Sequence, residues 1–412
     1  MSSYGMRTLV MIMAGGQGSR LQPLTKERAK PAVYFAGKYR IIDFVLNNFV
    51  NSGFYKIKVL TQFKSDSLIR HISTAWSFNR ALGHFVDIVP AQMRTGENWY
   101  RGTADAIFQN LNLVKEERCE FLAVFGGDHI YKMEVNQLVR FHEKKGGVAT
   151  VAAIPVPVSE AHEFGIIEVD ENWKMVGFVE KPKEPKEIPG RPGWCLASMG
   201  NYVWNTNFLI DVLESDSIDN ESSHDFGKDI LPALFGKYPI YVYDFSQNDV
   251  PDEKNSGFWK DVGTLDAYFE ANMDVCAIAP EFNLYNLSWP LRTYNWNLPP
   301  AKFAFAGEGE DARRGSAVDS VICEGSIISG ATVRSSVISP NVFVHSWAEV
   351  SESILFPDVV VGRHAKIRRA ILDKGISIPD GFEIGVNPEE DRKRFFVTES
   401  GITVIPKGTI VR

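Results

Sequence analysis

The chain has 412 residues, with 44 Lys+Arg against 51 Asp+Glu and a net charge of -7. That length allows two or more domains, and 44% hydrophobic with 12% aromatic residues supplies sizeable cores. The acid excess argues against nucleic-acid binding by bulk charge, no apolar run approaches the roughly 20 residues that span a bilayer, and four scattered cysteines without a C-x-x-C exclude a disulfide framework.

The N-terminus lacks the basic region and the length of a signal peptide, so a soluble, cytoplasmic protein is expected. An apolar run at residues 9–14 reads as a buried parallel strand. Gly15, Gly16 and Gly18 follow at once. Glycine lets a turn tighten and lets a ligand reach main-chain N–H groups, so such a loop after a strand is an anion cradle. Arg20 and Lys30 add two cations, and the sum is a polyphosphate site. No Gly-Lys-Ser/Thr closes the run, which excludes a P-loop. Leu21 stands where the dinucleotide fingerprint needs its third small residue. From the loop alone, a glycine-rich turn without a ligand is the alternative.

Ile42, Val45, Leu46, Phe49 and Val50 share one helical face, ended by Asn51-Ser52-Gly53. A strand is predicted over residues 57–60 and a helix over 67–76. Gln92 follows a turn at Pro90. Trp99 and Tyr100 precede a helix with Thr103 as N-cap and Ile107, Phe108, Leu111 and Val114 as its face. The two rings suit a flat polar ligand; simple packing is the alternative. Residues 121–125 form the next strand, followed by Gly126-Gly127-Asp128-His129. Ligands of open α/β sheets sit at the carboxyl ends of strands, which puts Asp128 at the edge that holds the glycine loop. A carboxylate there is an ordinary Mg²⁺ ligand, or else a helix cap.

A β run covers 148–154, and residues 165–169 and 174–180 alternate around Asp170-Glu171-Asn172 as a hairpin. Pro182 is expected to hold Lys181 extended. Glu180 and Lys181 would then grip a hydroxyl and a phosphate of one small ligand; a solvated ion pair is the plainer use. Residues 181–193 read as a proline-rich surface loop, and a strand follows at 201–204. Ser223, His224 and Asp225 are sequence neighbours, unlike a catalytic triad, whose members meet in space. They read as a cap for a helix from Lys228. Asp261 precedes a helix over 265–278 capped by Thr264, and with Asp128 would clamp a divalent ion. This alternation argues for an α/β layered domain with a mostly parallel sheet. Residues 279–300 read as an extended linker.

From Val318 onward no helix period survives, and a 17-residue repeat replaces it. Val321, Ile338, Leu355 and Leu372 form one column. Ile327, Val344, Val361 and Ile378 form a second, and Val333, Val350, Ile367 and Ile384 a third. The steps of six, six and five residues describe a triangular parallel β-helix of hexapeptide type. His345 and His364 read as corner residues, not as acyl-transfer groups.

The pieces just read run the length of the chain: A-G-G-Q-G-S-R-L with R-A-K-P-A-V, R-I-I-D-F, G-E-N-W-Y-R-G-T-A-D-A, G-D-H-I-Y-K, F-V-E-K-P, L-A-S-M-G, S-S-H-D-F-G-K-D, W-K-D-V-G-T, and W-P-L-R-T-Y with P-P-A-K-F. With them the sequence resembles the bacterial ADP-glucose pyrophosphorylases, or glucose-1-phosphate adenylyltransferases. The glycine motif is common to all sugar-nucleotide pyrophosphorylases, whereas W-Y-R-G-T-A-D-A and S-S-H-D-F-G-K-D are far more restricted. The resemblance implies a Rossmann-like nucleotidyltransferase domain at residues 1–278, a linker at 279–301, and a left-handed parallel β-helix at 302–412 for regulation and oligomerisation. It implies ATP and glucose 1-phosphate as substrates, Mg²⁺ as cofactor, small-molecule effectors and a homotetramer, with no nucleic-acid or membrane partner.

Residue by residue, it makes Arg20, Lys30 and Asp128 catalytic and gives the metal to Asp128 and Asp261. Gly15, Gly16, Gly18, Gln62, Gln92 and Trp99 fall to ATP. Tyr100, Gly165, Glu180, Lys181 and Ser198 fall to glucose 1-phosphate. Arg28, Lys38, Arg40 and Arg368 are the effector candidates. Two positions depart from the family pattern: Glu27, where a basic residue accompanies activation by fructose 1,6-bisphosphate, and Gln17, where Arg is frequent. Fructose 6-phosphate and pyruvate are the other activators considered. The competing readings are transfer of another nucleotide, a non-catalytic regulatory subunit, and a β-helix acyltransferase.

Overall fold

A computed structural model describes residues 3–92, 99–307 and 313–412. The first apolar run becomes Thr8–Met13, near the middle of a nine-stranded sheet. It pairs in parallel with Phe121–Gly126 on one side and Lys56–Thr61 on the other, and Phe85–Pro90 extends this parallel part. Alternate side chains feed two cores. Leu9 and Met11 enter one, and Val10 and Ile12 the other, so the strand is apolar throughout because both faces are covered.

Beyond Phe121–Gly126 the sheet changes direction. Trp194–Asn205 pairs antiparallel with it and with Ala149–Pro157, which in turn pairs in parallel with Ile240–Asp244. Only the end of Trp194–Asn205 was visible as a strand at residues 201–204. A bulge between Ser198 and Asn201 breaks its alternation. The hairpin of Gly165–Val169 and Met175–Glu180 lies at the far edge.

Several local expectations need correction. Thr103 is the first residue of the helix Thr103–Phe108, and Gly102 is its N-cap. The Thr103 hydroxyl instead donates to Asp225 at 3.0 Å and accepts from the Phe226 N–H at 3.0 Å. The helix breaks after Phe108 and resumes as Leu111–Glu117. The last helix of this half is Leu265–Asp274, shorter than expected, with the Thr264 hydroxyl accepting from the Ala267 N–H. Asp225 caps the next segment as read, accepting from the Gly227 and Lys228 N–H groups, but that segment opens with a π-helical turn, Phe226–Ile230.

Residues 275–301 hold no helix or strand and are strapped to the helix Ile41–Asn51. Asn47 exchanges two 2.8 Å hydrogen bonds with the Arg292 backbone, and Thr293 donates to the buried Asp43 at 2.7 Å. Three parallel sheets then stack as the sides of a β-helix. Its middle coils keep the 17-residue step, with Val333, Val350 and Ile367 in register. The first coil does not. Ile322 is level with Ile338, and Ile328 with Val344, so the step there is one residue shorter than the sequence columns assumed. Ile328 is fully buried in the solenoid core, while Val321 turns to the contact with the N-terminal half. At the other end a helical excursion, Pro388–Arg392, interrupts the period, and Thr403–Ile405 returns to pair with Ala370–Leu372. One apolar cluster joins the two halves: Leu21, Leu24, Phe44 and Phe269 pack with Ile354, Phe356 and Ile371 of the solenoid.

Candidate active site

The carboxyl ends of Thr8–Met13 and Phe121–Gly126 open into a cavity of about 720 Å³. Its floor is the glycine loop. Gly18 takes a left-handed φ of 61°, and a Cβ there would lie 2.9 Å from the Lys30 Cβ. The loop thus turns back against Lys30, and the Thr25 hydroxyl fixes it by donating to the Gly18 carbonyl at 2.7 Å.

Asp128 and Asp261 are far apart in sequence and are brought together by a small ladder that sequence reading missed. His129–Tyr131 pairs antiparallel with Trp259–Asp261, and Asp261 stands opposite His129. The almost fully buried Lys30 Nζ donates to Asp128 Oδ2 at 3.0 Å and to Asp261 Oδ1 at 2.9 Å. Arg20 reaches Asp261 Oδ2 at 3.6 Å. Burial pushes the Asp128 carboxyl up, but Lys30, His129 and Arg20 outweigh it and hold it well below the usual carboxylate range. Burial likewise pulls the Lys30 amine down, and the two carboxylates more than reverse that. Asp128 therefore stays ionised and Lys30 stays charged. Two convergent carboxylates facing an anion cradle are a donor set for a hard divalent cation that also holds phosphates.

The same cavity carries a second set of polar groups. Glu180, Lys181, Gly165, Ser198 and Tyr100 belong to that set, while Gln62 lies against the glycine loop, where a Cβ on Gly15 would sit 3.1 Å from the Gln62 Cβ. The Tyr100 N–H donates to Gln62 Oε1 at 2.6 Å, and the Tyr100 hydroxyl accepts from Asn110 at 3.0 Å. The bulge beside Ser198 turns residues 198–200 into the cavity. Lys181 is not extended. Its φ is 49°, in the left-handed region, and its N–H donates to the Phe164 carbonyl at 2.9 Å. A residue before proline pays about 1–3 kcal/mol for such a backbone. The hairpin's tie to Phe164 imposes it, and it lets the side chain line the cavity.

Gln92 and Trp99 do not line the cavity, and residues 93–98 between them lie outside the described residues. Asp225 and Trp259 do line it and were not assigned from the sequence. Asp225 looked like a helix cap, which it also is. Trp259 needed the ladder to Tyr131 to be placed. The approach of residues 222–225 to Gly102 is close: a Cβ on Gly102 would sit 2.3 Å from the His224 carbonyl oxygen. Gly102→Ala is expected to cost about 1–3 kcal/mol in urea unfolding, because backbone and not a flexible side chain blocks the methyl. A stability change near zero would show that the loop gives way.

A second, smaller cavity of about 310 Å³ lies where the halves meet, lined by Lys26, Glu27, Arg28, Asp373 and Lys407. Arg28 donates twice to the buried Asp373, at 2.8 and 2.7 Å, and its Nη1 finds no hydrogen-bond partner among the described residues. Glu27 faces Lys64 at 3.5 Å. The other effector candidates lie outside this cavity. Lys38 pairs with Glu324 at 3.6 Å, Arg40 is held against Tyr34 and the Ala32 carbonyl, and Arg368 is exposed on the strand Lys366–Arg368.

Residues 9–278 match the protein family described as Nucleotidyl transferase, and residues 299–405 match the GlmU-like C-terminal hexapeptide family. A glucose-1-phosphate adenylyltransferase of Anaeromyxobacter sp. is 54% identical over 404 residues, 97% of this chain and 98% of that one. One of Thermus thermophilus is 55% identical over 408 residues, with 97% and 98% covered. One of Aliivibrio fischeri is 50% identical over 400 residues, with 97% and 98% covered. The chain belongs to the nucleotidyl transferase family, among the glucose-1-phosphate adenylyltransferases. Nucleotidyl transferases generally use a divalent metal, and the Asp128–Asp261 pair fits one. No helix among the described residues is long and apolar enough to cross a membrane.

Proposed function

We propose that this chain transfers the adenylyl group of ATP to α-D-glucose 1-phosphate, giving ADP-glucose and diphosphate, the first committed step of glycogen synthesis. The observation that supports the reading is that one cavity is lined both by the glycine loop with Arg20 and Lys30 and by Glu180, Lys181 and Ser198. A sugar phosphate held there lies beside a triphosphate held on Gly15, Gly16, Gly18, Arg20 and Lys30. Its phosphate oxygen attacks the α-phosphorus in line, and diphosphate leaves. No protein nucleophile takes part; the residues position the reactants and stabilise charge. Lys30 and Arg20 hold the leaving diphosphate. Lys181 neutralises the attacking phosphate, and Glu180 orients the sugar hydroxyls. Asp128 and Asp261 would hold Mg²⁺, which when bound offsets the negative charge of the phosphates. Gln92, Gln62 and Trp99 belong to the loops proposed to meet adenine.

Lys181→Ala is expected to raise KM for glucose 1-phosphate by about tenfold or more while KM for ATP stays near its wild-type value. An unchanged sugar-phosphate KM would remove Lys181 from the site.

The chain is proposed to divide into a catalytic unit at 1–278, a linker at 279–301 and a β-helix at 302–412 that serves regulation and assembly as a cytoplasmic homotetramer. The cavity at Arg28 supports an anionic effector, because a buried guanidinium edge without a partner favours one. The ion pair of Glu27 with Lys64 offsets the acid that set fructose 1,6-bisphosphate in question. The deciding experiment is diphosphate release from glucose 1-phosphate with each nucleoside triphosphate, with and without sugar phosphates and pyruvate. Release with ATP supports the reading; release only with another nucleotide overturns it.

A further inference from the structure

Lys30 holds a position that a metal would want. Its Nζ is 3.0 Å from Asp128 Oδ2 and 2.9 Å from Asp261 Oδ1, and its side chain is 7% exposed. The ammonium thus bridges the two carboxylates that would coordinate a dication. The lysine is held there from behind: it starts the short turn Lys30–Ala32, and Gly18 packs so near that a Cβ added to it would lie 2.9 Å from the Lys30 Cβ. Arg20 brings a second positive charge to Asp261. Two cations therefore already match two anions, and a dication entering alone gains no net attraction. Nor do the described residues offer any cluster of three or more His, Cys, Asp or Glu that would hold a metal without help. Phosphate oxygens must complete the shell.

We propose that Lys30 is an internal stand-in for the divalent cation: it closes the Asp128–Asp261 clamp in the empty enzyme, and metal enters only when nucleotide phosphates take the lysine over. Charge balances in the exchange. The ammonium trades two carboxylates for the triphosphate, and the dication takes the carboxylates together with phosphate oxygens. Lys30 thereby couples metal loading to nucleotide loading, in addition to holding the leaving diphosphate. This inference rests on the proposed metal role of Asp128 and Asp261.

Mn²⁺ binding followed by electron paramagnetic resonance tests it. Nucleotide-free wild type, Asp128→Asn, Lys30→Met and Lys30→Met/Asp128→Asn are titrated with Mn²⁺ alone. Wild type and Asp128→Asn are then titrated with a non-hydrolysable ATP analogue present. Lys30→Met is expected to bind one ion about tenfold or more tightly than nucleotide-free wild type, and the double variant to lose that gain. With the analogue, wild type is expected to bind one ion more tightly than Asp128→Asn. If the analogue pair differs but Lys30→Met gains nothing, the stand-in role falls and the metal role stands. If the analogue pair does not differ, both fall. A tight, stoichiometric site on nucleotide-free wild type that Asp128→Asn removes would also overturn the inference, and that result needs no lysine variant to fold.

Discussion

Asp128→Asn is expected to lower turnover by about a hundredfold or more with the fold unchanged. Asparagine keeps the shape of the side chain and removes its charge. Lys30 then loses one of its two anionic partners, and the clamp with Asp261 loses an oxygen donor of the right hardness. Both losses fall on the proposed triphosphate site. The KM for glucose 1-phosphate should move little, because Asp128 pairs with Lys30 and His129, whereas the sugar phosphate is proposed to lie on Glu180, Lys181 and Ser198. The defect should therefore appear in kcat and in the dependence on metal concentration. Turnover close to wild type at saturating metal would remove Asp128 from the chemistry.

Arg28→Ala is expected to destabilise the protein by about 3–5 kcal/mol in urea unfolding. The pair it breaks is buried on both sides, with side-chain exposures of 7% for Arg28 and 2% for Asp373. Asp373 keeps two backbone donors, the N–H groups of Lys374 and Lys407, but no countercharge that the alanine supplies. The guanidinium also lies 5.9 Å from the Phe356 ring centroid, so packing is lost with the charge. Replacing both partners, as Arg28→Met/Asp373→Leu, should cost much less, since no isolated buried charge remains. A single variant within about 0.5 kcal/mol of wild type would mean that water reaches Asp373 once Arg28 is gone. A loss of effector response in the double variant at normal basal turnover would support the regulatory reading of that cavity.

The parts legible in the sequence were those whose signal is local. The glycine loop, the apolar strand before it and the 17-residue columns each depend on neighbours within one turn or one coil. Asp128 was placed correctly on the sheet edge because strand direction alone decides that. The pairing of Asp128 with Asp261 was expected from the sequence, but the three-residue ladder that brings them together joins segments with no periodicity, and only the fold displays that ladder. The first solenoid coil was misread by one residue because Val321-Ile322 and Ile327-Ile328 are both aliphatic pairs. Either member satisfies the pattern, and burial against the catalytic half chooses between them. Lys181 was misjudged for a different reason. The bias of a residue before proline is an average, and the hydrogen bond to Phe164 overrides it.

Leu21 and Leu24, immediately after the glycine loop, share a core with Ile354 and Phe356 of the β-helix. The seam between the halves is thus made of the same material as their interiors. Calorimetry should record one cooperative melting transition, not two. A protease cut at the linker should leave the halves associated. An isolated catalytic half would carry a greasy face where its partner had been, and would aggregate before it could turn over substrate. The solenoid is in that sense the floor on which the glycine loop stands, and a ligand that shifts it is expected to move the loop as well.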